Sequence, residues 1–242
     1  MGRLGVWHEE AGKLFDGMVK RKNIQIDGIY THFANADQAD KAFTNKQIQI
    51  FKEVVLQAEK MGIRPRYFHA ANSLGLLRFQ NPDFNLARPG IILYGLNPLS
   101  SGRLSPDFKP VLSLKTRISF LKKVMPGRTV SYGATYRASR VTQIATLPVG
   151  YSHGYRIGFS NKGFVLVRGQ RCPVIGRVTM DQTLVDVGRV PGVKRWDEVT
   201  LIGQDGKKRV DAEELALLAG TIPYEIVCSI HSRIPRVYKG LQ

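Results

Sequence analysis

The chain has 242 residues, of which 43% are hydrophobic, and this is enough for one large domain or two smaller ones. No run approaches the roughly 18 apolar residues that a membrane helix requires, and the N-terminus lacks the apolar segment of a signal peptide. Cys172 and Cys228 have neither the spacing of a zinc site nor that of a disulfide framework. We therefore expect a cytoplasmic protein with no metal site and no membrane contact.

The net charge of +17 raises the hypothesis of a nucleic-acid-binding protein. The basic residues are, however, spread along the chain, and their densest groups are short: Lys20–Lys22, Lys122–Lys123 and Lys207–Arg209. No aromatic-rich RNA-binding motif accompanies them. We therefore predict that nucleic acid is not a partner.

The first part of the chain predicts alternating helices and strands. Helical spacing or short β-branched and aromatic runs mark these elements in the order Glu9–Val19 (helix), Gln25–Phe33 (strand), Thr44–Gly62 (helix), Arg66–Ala70 (strand), Ser73–Phe79 (helix) and Phe84–Leu96 (strand-rich). This alternation is typical of parallel βα units, which place their chemistry where the strands end. Polar or glycine residues stand at those ends: His32, His69, Ser73, Arg88 and Gly90.

The long helix after the first strand has the clearest pattern. Thr44 and Gln47 have the spacing of a capping box, and Gly62 is a plausible end. Between them, one face carries the apolar residues Ile48, Phe51, Val54, Val55 and Ala58. This helix is therefore expected to pack against the strands through that face.

The stretch Asn97–Gly102 is rich in Pro, Gly and Ser and is the best candidate for a domain boundary. Beyond it, alternate residues from Leu112 to Phe120 are apolar or β-branched, which indicates a strand. Further strands are predicted at Thr142–Pro148, Phe164–Val167, Thr183–Val187 and Glu198–Ile202. A helix capped by Asp211 and ended by Gly220 presents an apolar face of Leu215, Leu217 and Leu218. We predict an antiparallel β-domain with one helix.

Three groups of residues could carry chemistry. Tyr132 stands between Ser131 and Gly133, and a tyrosine, with a reference pKa near 10, becomes a base at neutral pH only beside cations. Arg88 precedes an apolar run and needs a partner, for which His69 is a candidate. The hydroxyl of Ser73 and the backbone at Gly90 and Ile91 could cradle a phosphate.

Segments in the order of the chain resemble the alanine racemase family. They are Met1–Gly5, Thr31–Ala34, His69–Ser73, Arg88–Gly90, Ser131–Ala134, Pro148–Tyr151, Gly176–Gln182 and Arg233–Arg236. The resemblance covers the whole chain. It implies the C-terminal part of a (β/α)8 barrel over residues 1–105, followed by a mainly antiparallel β-domain over residues 106–242.

The resemblance implies a bacterial isomerase that interconverts L- and D-alanine through an aldimine of pyridoxal 5′-phosphate, and so supplies D-alanine for peptidoglycan. Tyr132 would be one of two bases and would reach into the other subunit of a homodimer. Arg3 and the Met180 backbone would hold the substrate carboxylate. The cofactor would be bound by the following residues: His32, His69, Ser73, Arg88, Gly90 and Ile91. The entrance would be lined by Tyr151, Arg177 and Asp181.

These roles agree with the chemistry that racemisation requires. The cofactor delocalises the carbanion, and inversion needs an acid/base group on each face of the α-carbon. An arginine at the pyridine nitrogen only donates hydrogen bonds. Arg88 would therefore leave that nitrogen unprotonated and weaken the electron sink.

The chain departs from the family pattern in several places. The family's cofactor-bearing lysine, which is its second base, has no counterpart here, and we expect it upstream of Met1 in a truncated racemase that is inactive alone. Ser232 stands near the position of a phosphate-binding tyrosine, and Thr179 stands where cysteine is frequent. Arg156 is about one residue away from the expected entrance arginine and is given no role.

Two alternatives remain beside an alanine racemase. One is a catalytically inactive binding domain derived from the same fold, which the missing lysine favours. The other is the nucleic-acid-binding protein suggested by the net charge. A different enzyme of the same fold type, such as an amino-acid decarboxylase, would lack the segments around Tyr132 and Met180.

Overall fold

The computed structural model describes residues 1–79, 81, 83–98, 105 and 107–240. The chain divides into two compact units, Met1–Phe108 and Lys109–Gln242. Much of the stretch around the predicted boundary, residues 99–104 and 106, lies outside the described residues. The boundary at 105/106 therefore stays a prediction.

The first unit is built from βα segments. Its two strands, Gly28–Tyr30 (β1) and Tyr67–His69 (β2), pair in parallel with Tyr30 opposite His69. The elements follow one another as a 3₁₀ turn at His8–Glu10, α1 (Ala11–Val19), β1 (Gly28–Tyr30), α2 (Ala42–Lys60), β2 (Tyr67–His69), α3 (Ser73–Arg78) and a 3₁₀ turn at Ile91–Tyr94. The helix between two parallel strands confirms the predicted βα alternation.

Helix α2 packs through the predicted face. Phe51 and Ala58 are buried, and Ala58 belongs to one apolar cluster with Ala11 and Phe15 of α1. The capping box was wrong, because the helix already begins at Ala42 and Thr44 lies inside it. Gln47 instead turns toward the end of β1, where its Nε2 donates to the backbone carbonyl of His32 at 2.8 Å.

The segment after α3 was expected to be strand-rich and is not. Among its described residues the only regular element is the 3₁₀ turn at Ile91–Tyr94. Ile91 and Ile92 are buried while Leu93 and Tyr94 are exposed. The apolar residues here form a tight turn. A short apolar run in a sequence fits such a turn as well as it fits a strand.

The second unit consists of antiparallel sheets. The strands are β3 (Leu114–Arg117), β4 (Phe120–Val124), β5 (Thr129–Val130), β6 (Tyr136–Arg137), β7 (Thr142–Leu147), β8 (Phe164–Val167), β9 (Gln170–Pro173), β10 (Thr183–Asp186), β11 (Glu198–Asp205) and β12 (Lys208–Val210). One sheet has the strand order β10-β7-β4, a larger one has the order β12-β11-β8-β9 with β3 also paired to β11, and β5 pairs with β6. The predicted antiparallel β-domain is confirmed.

The predicted strand from Leu112 to Phe120 is two strands that belong to different sheets. The buried residue Ile118 lies at the break, where its N–H donates to the Asp197 carbonyl at 3.0 Å. The N–H of Ser119 already bonds to Thr146 of the other sheet at 2.9 Å. A period of two continues across this change of sheet, so the sequence pattern does not show it.

Helix α4 (Ala212–Ala219) ends at Gly220, whose φ of +66° fits the expected glycine stop. Asp211 precedes the helix but makes no capping hydrogen bond; its carboxylate pairs with Arg209. Leu215 is buried as expected, whereas Leu217 is 82% exposed, so the inward face was assigned wrongly at that position. A second short helix, α5 (Pro223–Cys228), follows, so the prediction of one helix in this domain was wrong. None of the helices in the described residues has the length and apolar character of a membrane span.

Candidate active-site residues

The backbone of Arg88 is fixed next to the end of β2, because its N–H donates to the carbonyl of Ala71 at 2.9 Å. The Nη1 atom of Arg88 contacts Nδ1 of His69. Its Nη2 atom donates to the carbonyl of Thr31 at 2.8 Å and lies 3.3 Å from Nδ1 of His32. The Nε atom has no partner within the part of the chain that the structure describes. The guanidinium is thus oriented on one side, and Nε remains available to a ligand.

His69 is held in its neutral form by its contacts. Because arginine only donates hydrogen bonds, Nδ1 of His69 must accept from Arg88 and carry no proton. Burial, and then the charge of Arg88, lower the pKa of His69 from its ordinary value. The ring stacks on Tyr30 with centroids 5.2 Å apart, a contact that the cross-strand register of β1 and β2 produces. The predicted support of Arg88 by His69 matches this contact.

His32 stands between two hydrogen-bond donors. Its Nε2 lies 3.3 Å from Nδ2 of Asn72, and the other amide atom of Asn72, Oδ1, accepts from the N–H of Gly75 at 2.8 Å. Burial, followed by the charges of Arg88 and Arg3, lowers the pKa of His32. A protonated ring would direct an N–H at both Arg88 and Asn72, whereas the neutral ring can accept a hydrogen bond from one of them, so the neutral ring is favoured. The exposed residue Arg3 therefore lies within electrostatic reach of this cluster.

Ser73, Gly90 and Ile91 form a second small group in the first unit. The N–H of Gly90 donates to Oγ of Ser73 at 2.9 Å. A Cβ added at Gly90 would meet only that same Oγ atom, at 4.0 Å, so the space over the glycine is open. Ser73 can still donate its own hydroxyl proton, and the N–H of Ile91 has no partner among the described residues. Of the predicted phosphate donors, the Gly90 N–H is thus already engaged.

In the second unit, Tyr132 lies on a strained turn between β5 and β6. The φ angles are +65° at Ser131, +71° at Gly133 and +49° at Ala134, and the left-handed region is unfavourable for serine and alanine. The Tyr132 side chain is 71% exposed. The hydroxyl of Ser131 donates to the carbonyl of Arg177 at 2.6 Å. The two motifs around Tyr132 and Arg177 are therefore in direct contact.

The loop Thr179–Gln182 is shaped by hydrogen bonds between its two ends and by the close approach of Gly150. Thr179 closes it, since the Thr179 N–H donates to the Gln182 carbonyl at 2.9 Å and the Gln182 N–H donates to Thr179 Oγ1 at 3.2 Å. A Cβ at Gly150 would come within 2.1 Å of the Thr179 carbonyl. The Met180 carbonyl accepts from the N–H of Ser152 at 3.0 Å. The Met180 N–H has no partner among the described residues and remains available to a substrate.

These loops enclose a cleft of ≈ 510 Å³. It is lined by Tyr132, Tyr151, Ile157, Arg177, Val178, Thr179, Met180, Asp181 and Gln182. All five residues that the sequence proposed for this unit are therefore gathered at one place. Asp181 is held there by the hydroxyl of Ser152 at 2.7 Å. No group of three or more potential metal ligands occurs in the described residues.

Sequence reasoning missed Tyr30, Asn72 and Asn161. Tyr30 could have been found from its place on the predicted strand Gln25–Phe33, and Asn72 from its place as a helix cap before Ser73.

The C-terminal segment is structural, because Nη1 and Nη2 of Arg236 donate to the carbonyls of His231 at 2.9 Å and Ile230 at 3.1 Å. Arg156 forms an ion pair with Glu225 at 2.7 Å.

Comparison with known families gives a match in both units. The family model described as "Alanine racemase, N-terminal domain" matches residues 1–98, and that described as "Alanine racemase, C-terminal domain" matches residues 111–238. The chain belongs to the alanine racemase family. This confirms the predicted family and the predicted fold class of a barrel-type α/β part followed by a β-domain.

Individual alanine racemases agree with this assignment. The enzyme of Halothermothrix orenii is 46% identical over 240 residues, which cover 99% of this chain and 63% of that relative. The solved alanine racemase of Streptomyces coelicolor A3(2) superposes with a TM-score of 0.93 at 35% identity, covering 99% of this chain and 64% of the other. The alanine racemase of Bartonella henselae, solved with covalently bound pyridoxal phosphate, gives a TM-score of 0.83 at 31% identity, covering 98% and 64%. The chain thus spans less than two thirds of the length of these alanine racemases.

Proposed function

We propose that the protein is a bacterial alanine racemase of the cytoplasm that uses pyridoxal 5′-phosphate to interconvert L- and D-alanine for peptidoglycan synthesis. The observation that supports this best is the cleft in which Tyr132, Arg177 and Met180 meet. Family membership supports the same activity, and the intact cleft disfavours a domain that only binds.

The residues of the first unit fit pyridoxal 5′-phosphate. A phosphate needs several hydrogen-bond donors at a place where the backbone can be approached closely. The open space over Gly90, with the hydroxyl of Ser73 and the N–H of Ile91 beside it, offers this. Arg88 Nε is the donor that would bind the pyridine nitrogen, and His32 would pack against the ring. The B. henselae relative contains covalently bound pyridoxal phosphate.

Bound pyridoxal 5′-phosphate supplies an electron sink that makes the α-proton of an amino acid removable. Arg88 tunes this chemistry, because a guanidinium donates a hydrogen bond without giving up its proton. His69 and the Thr31 carbonyl keep the guanidinium in one orientation. Arg88 would therefore offer the pyridine nitrogen a hydrogen bond but no proton, which would weaken the electron sink and limit side reactions.

The second unit provides the groups that act on the substrate. Tyr132 takes up or returns the proton at the α-carbon on one face. The free N–H of Met180 binds the substrate carboxylate and so fixes which face of the α-carbon Tyr132 meets. Arg3, which belongs to the first unit, is proposed as the cationic partner of the same carboxylate. Tyr151, Arg177 and Asp181 line the approach and restrict it to a small substrate.

The second acid/base group is assigned to a lysine outside this chain. No lysine is found among the described residues that line the Tyr132 cleft or that contact Arg88. Inversion needs a proton donor or acceptor on each face, so we propose that the active protein contains such a lysine and that this chain alone does not racemise alanine. We also propose a homodimer in which Tyr132, exposed on its own unit, reaches the cofactor bound by the other subunit.

The proposal is tested by measuring D-alanine formation from L-alanine with a D-amino-acid oxidase assay. Two proteins are compared in the presence of pyridoxal 5′-phosphate: this chain alone, and this chain preceded by the lysine-bearing segment of a related racemase. We expect turnover only from the longer protein. Absence of turnover from a folded longer protein that binds the cofactor would overturn the proposal and favour the inactive binding domain.

A further inference from the structure

Asn161 links the two loops that form the cleft of the second unit. Its Nδ2 donates to the hydroxyl of Thr135 at 3.0 Å, at the end of the Tyr132 turn. Its Oδ1 accepts from the N–H of Gly176 at 2.6 Å, at the start of the loop that carries Arg177 and Met180. One amide group is thus shared between the acid/base residue's turn and the substrate-binding loop.

We propose that Asn161 is a positioning residue of the racemase reaction: its side-chain amide sets the place of Tyr132 relative to Arg177 and Met180. The inference rests on the proposed function. Asn161 is not among the residues that line the cleft, so it acts through the two loops and not on the substrate.

The Tyr132 turn requires such support. Ser131 and Ala134 both have left-handed φ angles, and backbone strain of this kind persists only where the surroundings impose it. The hydroxyl of Ser131, bonded to the Arg177 carbonyl, holds the beginning of the turn. Asn161 holds its end at Thr135. β5 and β6 are paired at the base of the turn through Val130 and Tyr136. The bonds of Ser131 and Asn161 add one side-chain contact on each arm above that base.

Asparagine suits this position for two physical reasons. The φ angle of Asn161 is +57°, and asparagine tolerates the left-handed region better than other residues that have a side chain. Its amide also combines a donor and an acceptor on a short side chain. It can therefore bind a hydroxyl on one side and a backbone N–H on the other.

The approach of the two loops is close at the point that Asn161 holds. A Cβ at Gly176 would come within 2.7 Å of Ser131 Cβ and 2.8 Å of the Val130 carbonyl. The neighbouring residue Ser160 adds a further bond, since its Oγ accepts from the N–H of Val178 at 3.0 Å. The segment Ser160–Asn161 therefore lies behind both loops and fixes their separation.

The test uses the racemising protein that contains this chain, with two variants that remove the link from opposite sides. Asn161→Gly keeps the left-handed backbone accessible and removes both bonds, and Thr135→Val removes only the bond to the Tyr132 turn. Asn23→Gly is the matched control for the asparagine, at an exposed site of the first unit. Thr129→Val, in β5 of the same hairpin, is the control for loss of an exposed threonine hydroxyl that does not bond to Asn161. We expect kcat to fall about 10- to 100-fold in both test variants, with little change in KM, and the double variant to be no worse than Asn161→Gly.

Hydrogen exchange gives a readout that does not depend on turnover. In Asn161→Gly we expect faster exchange at the N–H of Gly176 and in the Tyr132 turn, while the core strands β8 and β11 keep their protection. An active parent protein whose kcat is unchanged in both variants would overturn the role of Asn161. Loss of protection throughout the β-domain would also overturn it, because Asn161 would then serve overall stability. A parent protein without activity would instead refute the proposed function.

Discussion

Arg88 and His69 are joined by a hydrogen bond in which the guanidinium donates and the imidazole nitrogen accepts. The same guanidinium lies over the ring of Tyr30, 5.1 Å from its centroid, and that ring stacks on His69. Three side chains from β1, β2 and the segment after α3 thus fix one another. The cation is oriented before any ligand is bound.

We predict that Arg88→Lys weakens this arrangement. A lysine ammonium lacks the planar fork that reaches His69 and the Thr31 carbonyl together. We expect a loss of about 1.5–3 kcal/mol in the free energy of unfolding, the range for hydrogen bonds to charged groups, measured by urea denaturation. Arg66→Lys, at an exposed arginine over Tyr67, is the control and should change stability little. Equal stability of the two variants would contradict the role of Arg88 in the fold.

The two histidines predict a pH dependence of stability. Burial and Arg88 lower the folded-state pKa of both His32 and His69 below the ordinary value of 6.5. At pH values above the ordinary pKa, both histidines are neutral in the folded and in the unfolded chain. At pH values below it, the histidines bind protons in the unfolded chain that they do not bind in the folded chain. Stability should therefore fall as pH drops from about 7 to below 6.

The measurement is urea denaturation at a series of pH values, with His69→Asn as the comparison. Asparagine retains an acceptor for Arg88 but does not titrate, so the variant should lose part of the pH dependence. His8→Asn, at an exposed histidine beside Glu9, is the control substitution and should keep the part of the dependence that His69→Asn loses. A His69→Asn variant with the full parental slope would show that this imidazole is not involved.

A third prediction concerns the close approach of Gly150 to the Thr179–Gln182 loop. In Gly150→Ala the added Cβ would collide with the carbonyls of Thr179 and Met180, at 2.1 and 2.5 Å, and backbone atoms cannot move aside cheaply. Such overpacking costs about 1–3 kcal/mol, and we expect that loss in urea denaturation. Gly158→Ala, where the nearest atom lies at 3.7 Å, is the matched control. If both variants were equally stable, the tight contact would be refuted.

The sequence predicted elements where a local pattern was sufficient. Helix α2 and the βα order of the first unit follow from apolar spacing, and the end of α4 follows from Gly220. The break at Ile118 was not predictable, because the chain changes sheets without changing its period of two. Gln47 was expected to cap its own helix, but its amide instead bonds to the distant end of β1, a tertiary contact that a local motif does not contain.

The sequence indicated candidate site residues but not the geometry in which they meet. Motif resemblance indicated Tyr132, Arg177 and Met180, and the structure brings them to one cleft. Nothing local to Asn161 indicates that its amide joins two loops distant in sequence. Likewise, the hydrogen bond from the Gly90 N–H to Oγ of Ser73 depends on the packing of two separate segments.

The last prediction tests the acid/base role of Tyr132. In the protein that racemises alanine, Tyr132→Phe removes only the phenolic oxygen. Because that side chain is exposed and its hydroxyl has no partner among the described residues, folding should be unchanged. General acid–base groups contribute about 100- to 10,000-fold to rate, and we expect kcat to fall in that range in both directions of the reaction. Tyr238→Phe, at a tyrosine of similar exposure, is the control, and unchanged turnover in Tyr132→Phe would refute the assignment.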